Sequence, residues 1–370
     1  MKKPILTYIA LGSNLGDKFA HLQSALQSIH DSIGKVSAVG RVYASEALGF
    51  DGPGFLNTVC VVQTRLQPTA LLDALQAIEQ EAGREQDRST GYTSRTLDLD
   101  IITYGDQVIN SERLIVPHPQ WEQRRFVVMP LRDLIPVDQA ASVNPHTADP
   151  DPTQQCMPIL DRLQLPSWNV HMQKLGFVCI EGNIGAGKTS LSHLIAEEFG
   201  GKLLLERFTE NPFLPLFYKD KSRYALATEM SFLTDRYQQL SDDLAQPDLF
   251  ASFLVADYYI IKSLIFSRVT LTEQEYALYY KIFKVMYKEV RKPAAYVYLE
   301  QSTDRLLQNI AFRGREYEQD IDANYLTRIH SGYMQFLKEH PDMNPILIDA
   351  RSLDFVHNRK DFKTVVERIR

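Results

Sequence analysis

Two groups of residues in this chain have types and spacings suited to phosphate chemistry, and their designs are unrelated. In Arg95-Thr96-Leu97-Asp98-Leu99-Asp100 two carboxylates alternate with leucines. Residues two apart on a strand share a face, so both aspartates point the same way and can hold Mg²⁺ between triphosphate oxygens. Leu97, Leu99, Ile101 and Ile102 make the surroundings apolar, where an unpaired carboxylate is costly. Arg84, Arg88 and Arg95 add cations within a Gly-, Ser- and Thr-containing stretch that reads as a loop able to close over phosphates. The second group is Gly182-Asn183-Ile184-Gly185-Ala186-Gly187-Lys188-Thr189, with Ser190 next. Its backbone N–H groups can curl around a phosphate, Lys188 adds a point charge, and Thr189 can ligate Mg²⁺.

These residues need elements to position them. Residues 5–11 read as a strand, Phe19 to Ile33 as a helix, 57–65 as a strand, Pro68 to Ala82 as a helix and 97–104 as a strand. That order predicts an α+β, ferredoxin-like domain. Residues 136–174 are rich in proline, and Met157 to Leu163 reads as a short closing helix. From Phe177 the pattern is strand 177–181, phosphate loop, helix 188–199, strand 202–206, which predicts an α/β domain with a parallel sheet. Long helices are expected at 222–245 and 272–291, then a strand at 295–300 and a helix from Asp304. The division expected is 1–166, a surface link at 167–174, and 175–370.

Composition agrees with two globular domains. The chain has 370 residues, 44% hydrophobic and 23% charged, enough for two separate cores. A net charge of −6 gives no global attraction to nucleic acid or anionic membrane, so neither partner is expected. Three dispersed cysteines match no zinc spacing and leave one over in any pairing, which favours a reducing compartment. With no signal-like apolar segment, cytoplasmic residence is expected.

Residues 1–166 resemble the 6-hydroxymethyl-7,8-dihydropterin pyrophosphokinase family. The resemblance rests on Ala10-Leu11-Gly12-Ser13-Asn14-Leu15-Gly16, Phe55-Leu56-Asn57, Gly83-Arg84, the Arg95 to Asp100 run and Val116-Pro117-His118. It implies diphosphate transfer from ATP to a pterin hydroxymethyl group. By the same resemblance Asp98 and Asp100 ligate two Mg²⁺, while Arg84 and Arg95 stabilise the transferring group. Phe55 and Phe126 sandwich the pterin, Asn57 reads its edge, and Gln76, His118 and Arg124 hold ATP or its phosphates. Physics agrees that aromatic faces plus an amide suit a flat polar heterocycle. One departure is Tyr92-Thr93-Ser94, where the family usually has Trp-Gly-Pro.

Residues 175–350 resemble the deoxynucleoside kinase family, in its bacterial deoxyadenosine/deoxyguanosine kinase branch. The carriers are the phosphate loop, Leu205-Glu206-Arg207, Glu210-Asn211-Pro212-Phe213-Leu214 with Phe217-Tyr218, Arg236, and Ala311-Phe312-Arg313-Gly314-Arg315-Glu316-Tyr317-Glu318. The resemblance implies Glu206 as general base for the 5′-hydroxyl and Tyr218 with Glu318 on the 3′-hydroxyl. It also implies Glu229 and Arg236 at the base, Arg313 and Arg315 as a lid, one Mg²⁺, and a homodimer through this domain. Independently, a carboxylate at the end of a parallel strand lies where α/β folds bind ligands. Paired arginines suit charge stabilisation of phosphoryl transfer.

Two departures matter. The family's acidic-Arg-Ser triplet is Asp257-Tyr258-Tyr259 here, with Lys262 one turn on as the expected substitute for the arginine. Glu229 stands where a glutamine usually reads the nucleobase. A carboxylate matches the two adjacent donors of guanine, whereas the branch resemblance favours deoxyadenosine, the first expectation. The competing class is a non-catalytic nucleotide-binding module that regulates the first domain.

Overall fold

Alternation along Ile5–Ser13 decides the first half of the molecule: Ile9 and Leu11 are buried toward one face, Tyr8 toward the other. The computed structural model describes residues 3–83, 94–137, 143–168, 170–207, 211–245, 251–288, 290–318 and 321–369. The chain divides into two units, Met1–Trp168 and Asn169–Arg370.

The first unit runs β1 (Ile5–Ser13), α1 (Lys18–Ser32), β2 (Gly34–Val39), β3 (Tyr43–Ser45), β4 (Phe55–Thr64), α2 (Pro68–Glu81), β5 (Asp98–Tyr104), β6 (Ile109–Asn110), β7 (Ile115–Val116), α3 (Arg125–Leu134) and β8 (Cys156–Pro158). The main sheet is antiparallel in the order β5-β1-β4-β3-β8, and β2 also pairs with β4. This is the expected ferredoxin-like arrangement with three strands added to the expected set: β2 and β3 pair with successive stretches of β4, and β8 pairs with β3. Leu22, Leu26 and Ile29 of α1, with Leu71, Leu75 and Ile78 of α2, join Ile9, Leu11 and Val62 in one core. Val127, Val128 and Leu131 of α3 cover the opposite face through Tyr8, Val59 and Ile102. Asp17 starts α1 by accepting from the Ala20 N–H at 3.0 Å, and Pro68 starts α2.

The helix expected over Met157 to Leu163 is absent; strand β8 pairs with β3 instead, Met157 opposite Ala44. Its helical spacing was misleading because Met157 and Leu160 are exposed while only Leu163 is buried, so no common face is covered. Within the expected surface link, Trp168 is 6% exposed. Its Nε1 donates to Asp31 Oδ1 at 2.7 Å, and its ring meets that of His30 edge-on at 5.3 Å.

The second unit comprises α4 (Met172–Leu175), β9 (Phe177–Gly182), α5 (Lys188–Phe199), β10 (Lys202–Leu204), α6 (Leu214–Lys219), α7 (Lys221–Ala245), β11 (Leu254–Ala256), α8 (Ile261–Thr270), α9 (Glu273–Met286), β12 (Ala295–Glu300), α10 (Thr303–Arg313), α11 (Ala323–Glu339), β13 (Ile346–Asp349) and α12 (Arg359–Arg368). Its five strands are parallel in the order β10-β11-β9-β12-β13. Phe177 to Gly182 are buried throughout, as a central parallel strand covered on both faces requires. Helix α8 gives no amphipathic signal because Lys262 to Ser267 are all buried. Among the described residues no helix is long and apolar enough to cross a membrane.

Candidate active sites

In the first unit, pairing of β1 with both β4 and β5 brings three motifs to one place. Gly12 lies opposite Asn57 on β4 and opposite Asp98 on β5. A cavity of about 250 Å³ opens there, lined by Phe55, Asn57, Arg95, Asp98, Asp100, His118, Arg124 and Phe126. Sequence reasoning singled out all eight. Gln76 lies on the exposed side of α2 and does not line the cavity; Arg84 falls outside the described residues.

The electrostatics of this cavity are open. Arg95 Nη1 donates to Asp98 Oδ1 at 2.5 Å, and Arg124 Nη1 stands 3.6 Å from Asp100 Oδ2. The Asp98 and Asp100 side chains are 27% and 40% exposed, so hard oxygen donors face solvent beside two guanidiniums. That donor set fits Mg²⁺ completed by phosphate oxygens. Burial, then the Arg124 charge, pushes His118 down to about 4, which keeps its imidazole neutral. Its Nδ1 accepts the Gln120 N–H at 3.2 Å, leaving Nε2 for a ligand. Asn14, 1% exposed, accepts the Arg95 N–H at 2.5 Å and donates to Pro53 O and Ser94 Oγ. It therefore ties three segments around the cavity. Ser45, which accepts from Asn57 Nδ2 at 3.0 Å, and Phe50, edge-on to Phe55, also line it; their residue types carried no chemical signal.

In the second unit the loop after β9 turns sharply. Gly185 and Gly187 have φ of +80° and +89°, and a Cβ there would sit 2.8 Å from Leu306 O and 2.9 Å from the Phe355 ring. Lys188 Nζ donates to Gly182 O and Asn183 O at 3.0 and 2.8 Å, within the loop. Asn183 is itself fixed by donating to Leu326 O at 2.8 Å. Beyond the loop lies a cavity of about 100 Å³, lined by Ile184, Gly185, Lys188, Thr189, Glu206, Tyr218, Glu229, Arg236, Arg313, Arg315 and Glu318 among others. Gly182, Asn183, Ala186, Gly187 and Ser190 shape the loop without lining the cavity.

Glu206 is the electrostatic hub. Arg236 Nε and Nη2 donate to its Oε1 at 2.8 and 2.6 Å, and Lys262 Nζ donates to its Oε2 at 2.5 Å. Burial alone would raise the carboxyl's pKa, but Lys262 and Arg236 outweigh it and hold the group well below the usual carboxylate range. Lys262, the residue expected to substitute for the missing arginine, thus contacts Glu206, while Tyr258 is fully buried and its hydroxyl has no hydrogen-bond partner among the described residues. Asp257 joins the parts: Oδ1 accepts the Glu206 N–H at 2.8 Å and Oδ2 accepts Thr189 Oγ1 at 2.5 Å.

Glu229 and Arg236 both line the cavity, but no ion pair joins Glu229 to Arg236. The ionised Glu206 captures its guanidinium, and Ser263 Oγ accepts from Nη1 at 2.7 Å. Glu229 instead accepts from Thr270 Oγ1 at 3.0 Å, and burial pushes it up to about 7. Arg313 and Arg315 both bind Glu318, whose carboxylate is 6% exposed. Phe217, Phe232, Phe266 and Tyr325 supply aromatic walls that only the assembled helices bring together.

Comparison with known proteins matches the two units separately. The model of the 7,8-dihydro-6-hydroxymethylpterin-pyrophosphokinase family covers residues 8–136, and that of the deoxynucleoside kinase family covers 178–370. The chain is 33% identical over 203 residues to the deoxyguanosine kinase of Bacillus subtilis, covering 54% of this chain and 98% of that one. It is 40% identical over 134 residues to the 2-amino-4-hydroxy-6-hydroxymethyldihydropteridine pyrophosphokinase of Porphyromonas gingivalis, covering 35% of this chain and 91% of that one. Similarity to the folic acid synthesis protein fol1 of Schizosaccharomyces pombe is 42% over 147 residues, 39% of this chain but only 19% of that protein.

Proposed function

The chain belongs to the 7,8-dihydro-6-hydroxymethylpterin-pyrophosphokinase family in its first unit and to the deoxynucleoside kinase family in its second, and from that premise we propose how each site works. Both families use ATP, so this is a bifunctional kinase fusion. In the first unit the pterin hydroxymethyl oxygen attacks the β-phosphorus of ATP, forming the pterin diphosphate and releasing AMP. Phe55 and Phe126 hold the ring between them, and Asn57, oriented by Ser45, reads its edge. Arg95 and Arg124 neutralise charge on the transferring group. Asp98 and Asp100 would hold two Mg²⁺, which when bound neutralise phosphate oxygens and align the triphosphate.

In the second unit the 5′-hydroxyl of a purine deoxynucleoside attacks the γ-phosphorus, and ADP leaves. The loop amides and Lys188 cradle the phosphates, and Thr189 would hold one Mg²⁺. Glu206 accepts the hydroxyl's hydrogen bond and takes its proton late, which suits a base of low pKa because phosphoryl transfer needs little early deprotonation. Arg313 and Arg315 exchange Glu318 for phosphate oxygens as the lid closes, leaving Glu318 and Tyr218 for the 3′-hydroxyl. The observation that carries a catalytic reading over a regulatory one is Lys262 on Glu206, which restores the cation lost at Tyr258. A purine fits a slot walled by Phe217, Phe232 and Phe266 with Glu229 at its edge. ADP and AMP release by the full chain, measured with each deoxynucleoside and with hydroxymethyldihydropterin, tests both halves. Absence of ADP with all four deoxynucleosides would support the regulatory alternative.

A further inference from the structure

Glu229 is a carboxylate of the second site whose charge state the mechanism leaves unassigned. It lies on α7, 4% exposed, and lines the cavity. Its Oε1 accepts from Thr270, whereas Oε2 is buried with no hydrogen-bond partner among the described residues. Charged and titratable groups surround it on several elements: Arg236 on α7, Glu206 after β10, Lys262 on α8, Tyr218 on α6, Tyr279 on α9 and Tyr325 on α11. The two cations are hydrogen-bonded to Glu206 and supply Glu229 with no ion pair within 4 Å. The tyrosines are neutral phenols whose burial raises them further.

We propose, resting on the purine deoxynucleoside reading above, that Glu229 reads the base in two protonation forms and that the preference between adenine and guanine therefore depends on pH. As a carboxylate it only accepts, which matches the adjacent N1–H and N2–H₂ donors of guanine. Adenine offers N6–H beside the N1 lone pair, and that lone pair faces a second oxygen with nothing to donate. A polar mismatch of this kind, buried, is what makes hydrogen-bonding sites selective. As a carboxylic acid Glu229 donates O–H to adenine N1 and accepts from N6–H. The acid also reads guanine through O6 and N1–H, so acidification adds adenine without removing guanine. Burial places the midpoint near 7.

The test is kcat/KM of the full-length chain for deoxyadenosine and deoxyguanosine from pH 5.5 to 8.5. The ratio cancels the titration of ATP and of shared catalytic groups. It is expected to rise about tenfold in favour of deoxyadenosine between pH 8 and pH 6, following the protonated fraction. In Glu229→Gln, whose amide carries one donor and one acceptor at every pH, the ratio should stay flat. A flat ratio in the wild type with both substrates turned over overturns the proposal while sparing the purine reading, as does a variant that tracks the wild type. No turnover of either purine at any pH overturns both. Should the variant misfold, calorimetry of the wild type at pH 7 in buffers of different ionisation enthalpy decides: proton uptake on deoxyadenosine binding supports the inference, and none overturns it.

Discussion

The two sites handle phosphate with opposite electrostatic strategies. The first keeps its carboxylates partly in water, beside Arg95 and Arg124, at the junction of β1, β4 and β5. The second buries its carboxylates and neutralises the key one internally, with Arg236 and Lys262 both spent on Glu206. Partly exposed carboxylates can take a divalent cation, but they contribute little to stability because solvent screens them. A buried, paired carboxylate cannot lose a partner without leaving an uncompensated charge, so that site is built into its own core. The glycine-rich loop makes this affordable by binding phosphate mainly with backbone amides.

The largest expected effect tests the independence of the two designs. The double substitution Asp98→Asn with Asp100→Asn should lower diphosphate transfer on the order of 10³-fold, while deoxynucleoside phosphorylation stays within about twofold. Loss of both activities in a folded double mutant would refute separate sites. Lys188→Ala should do the reverse, lowering phosphoryl transfer to the deoxynucleoside by roughly 10²-fold and sparing AMP release. Unchanged ADP production there would mean that the loop is not catalytic.

The stability contrast is sharper still in its physical content. Glu206→Gln should cost about 3 kcal/mol of unfolding free energy, because Arg236 and Lys262 remain buried without their anion. Asp98→Asn, whose pair is about a quarter exposed, should cost under ~1 kcal/mol. Urea unfolding of the full chain, followed by probes in each unit, measures both; equal costs would erase the distinction drawn here.

The smallest effect concerns Glu229. Burial raises its folded pKa from the ordinary 4.5 to about 7, so folding favours the neutral acid. Its stabilising contribution is fully present below 4.5 and is lost as the pH rises through about 7. The stability of Glu229→Gln relative to wild type should therefore grow by roughly 2 kcal/mol between pH 5 and pH 8. A difference that does not change with pH would show that Glu229 does not titrate in this range.

Much of this protein could be read from local pattern. The Asp98-x-Asp100 strand, the glycine-rich loop, the helices Lys18–Ser32 and Pro68–Glu81 and the parallel-sheet opening each announce themselves within a few residues. Their causes are local: strand alternation, helical period, and glycines where the chain must adopt positive φ. Of the site residues expected from such motifs, Phe55, Asn57, Arg95, Asp98 and Asp100 line one cavity, and Lys188, Thr189, Glu206, Arg313 and Arg315 line the other. What required the tertiary structure was every partnership between distant segments. Helix α8 is invisible as an amphipathic pattern because it is buried on all sides. The run from Met157 joins a sheet edge because β3 offers unpaired backbone groups there. Above all, Glu229 and Arg236 share one helix and line one cavity, yet the guanidinium pairs with Glu206, thirty positions away in sequence. Sequence sets which charges exist; which of them meet in low dielectric, and so which stay ionised, is decided only when the elements are assembled.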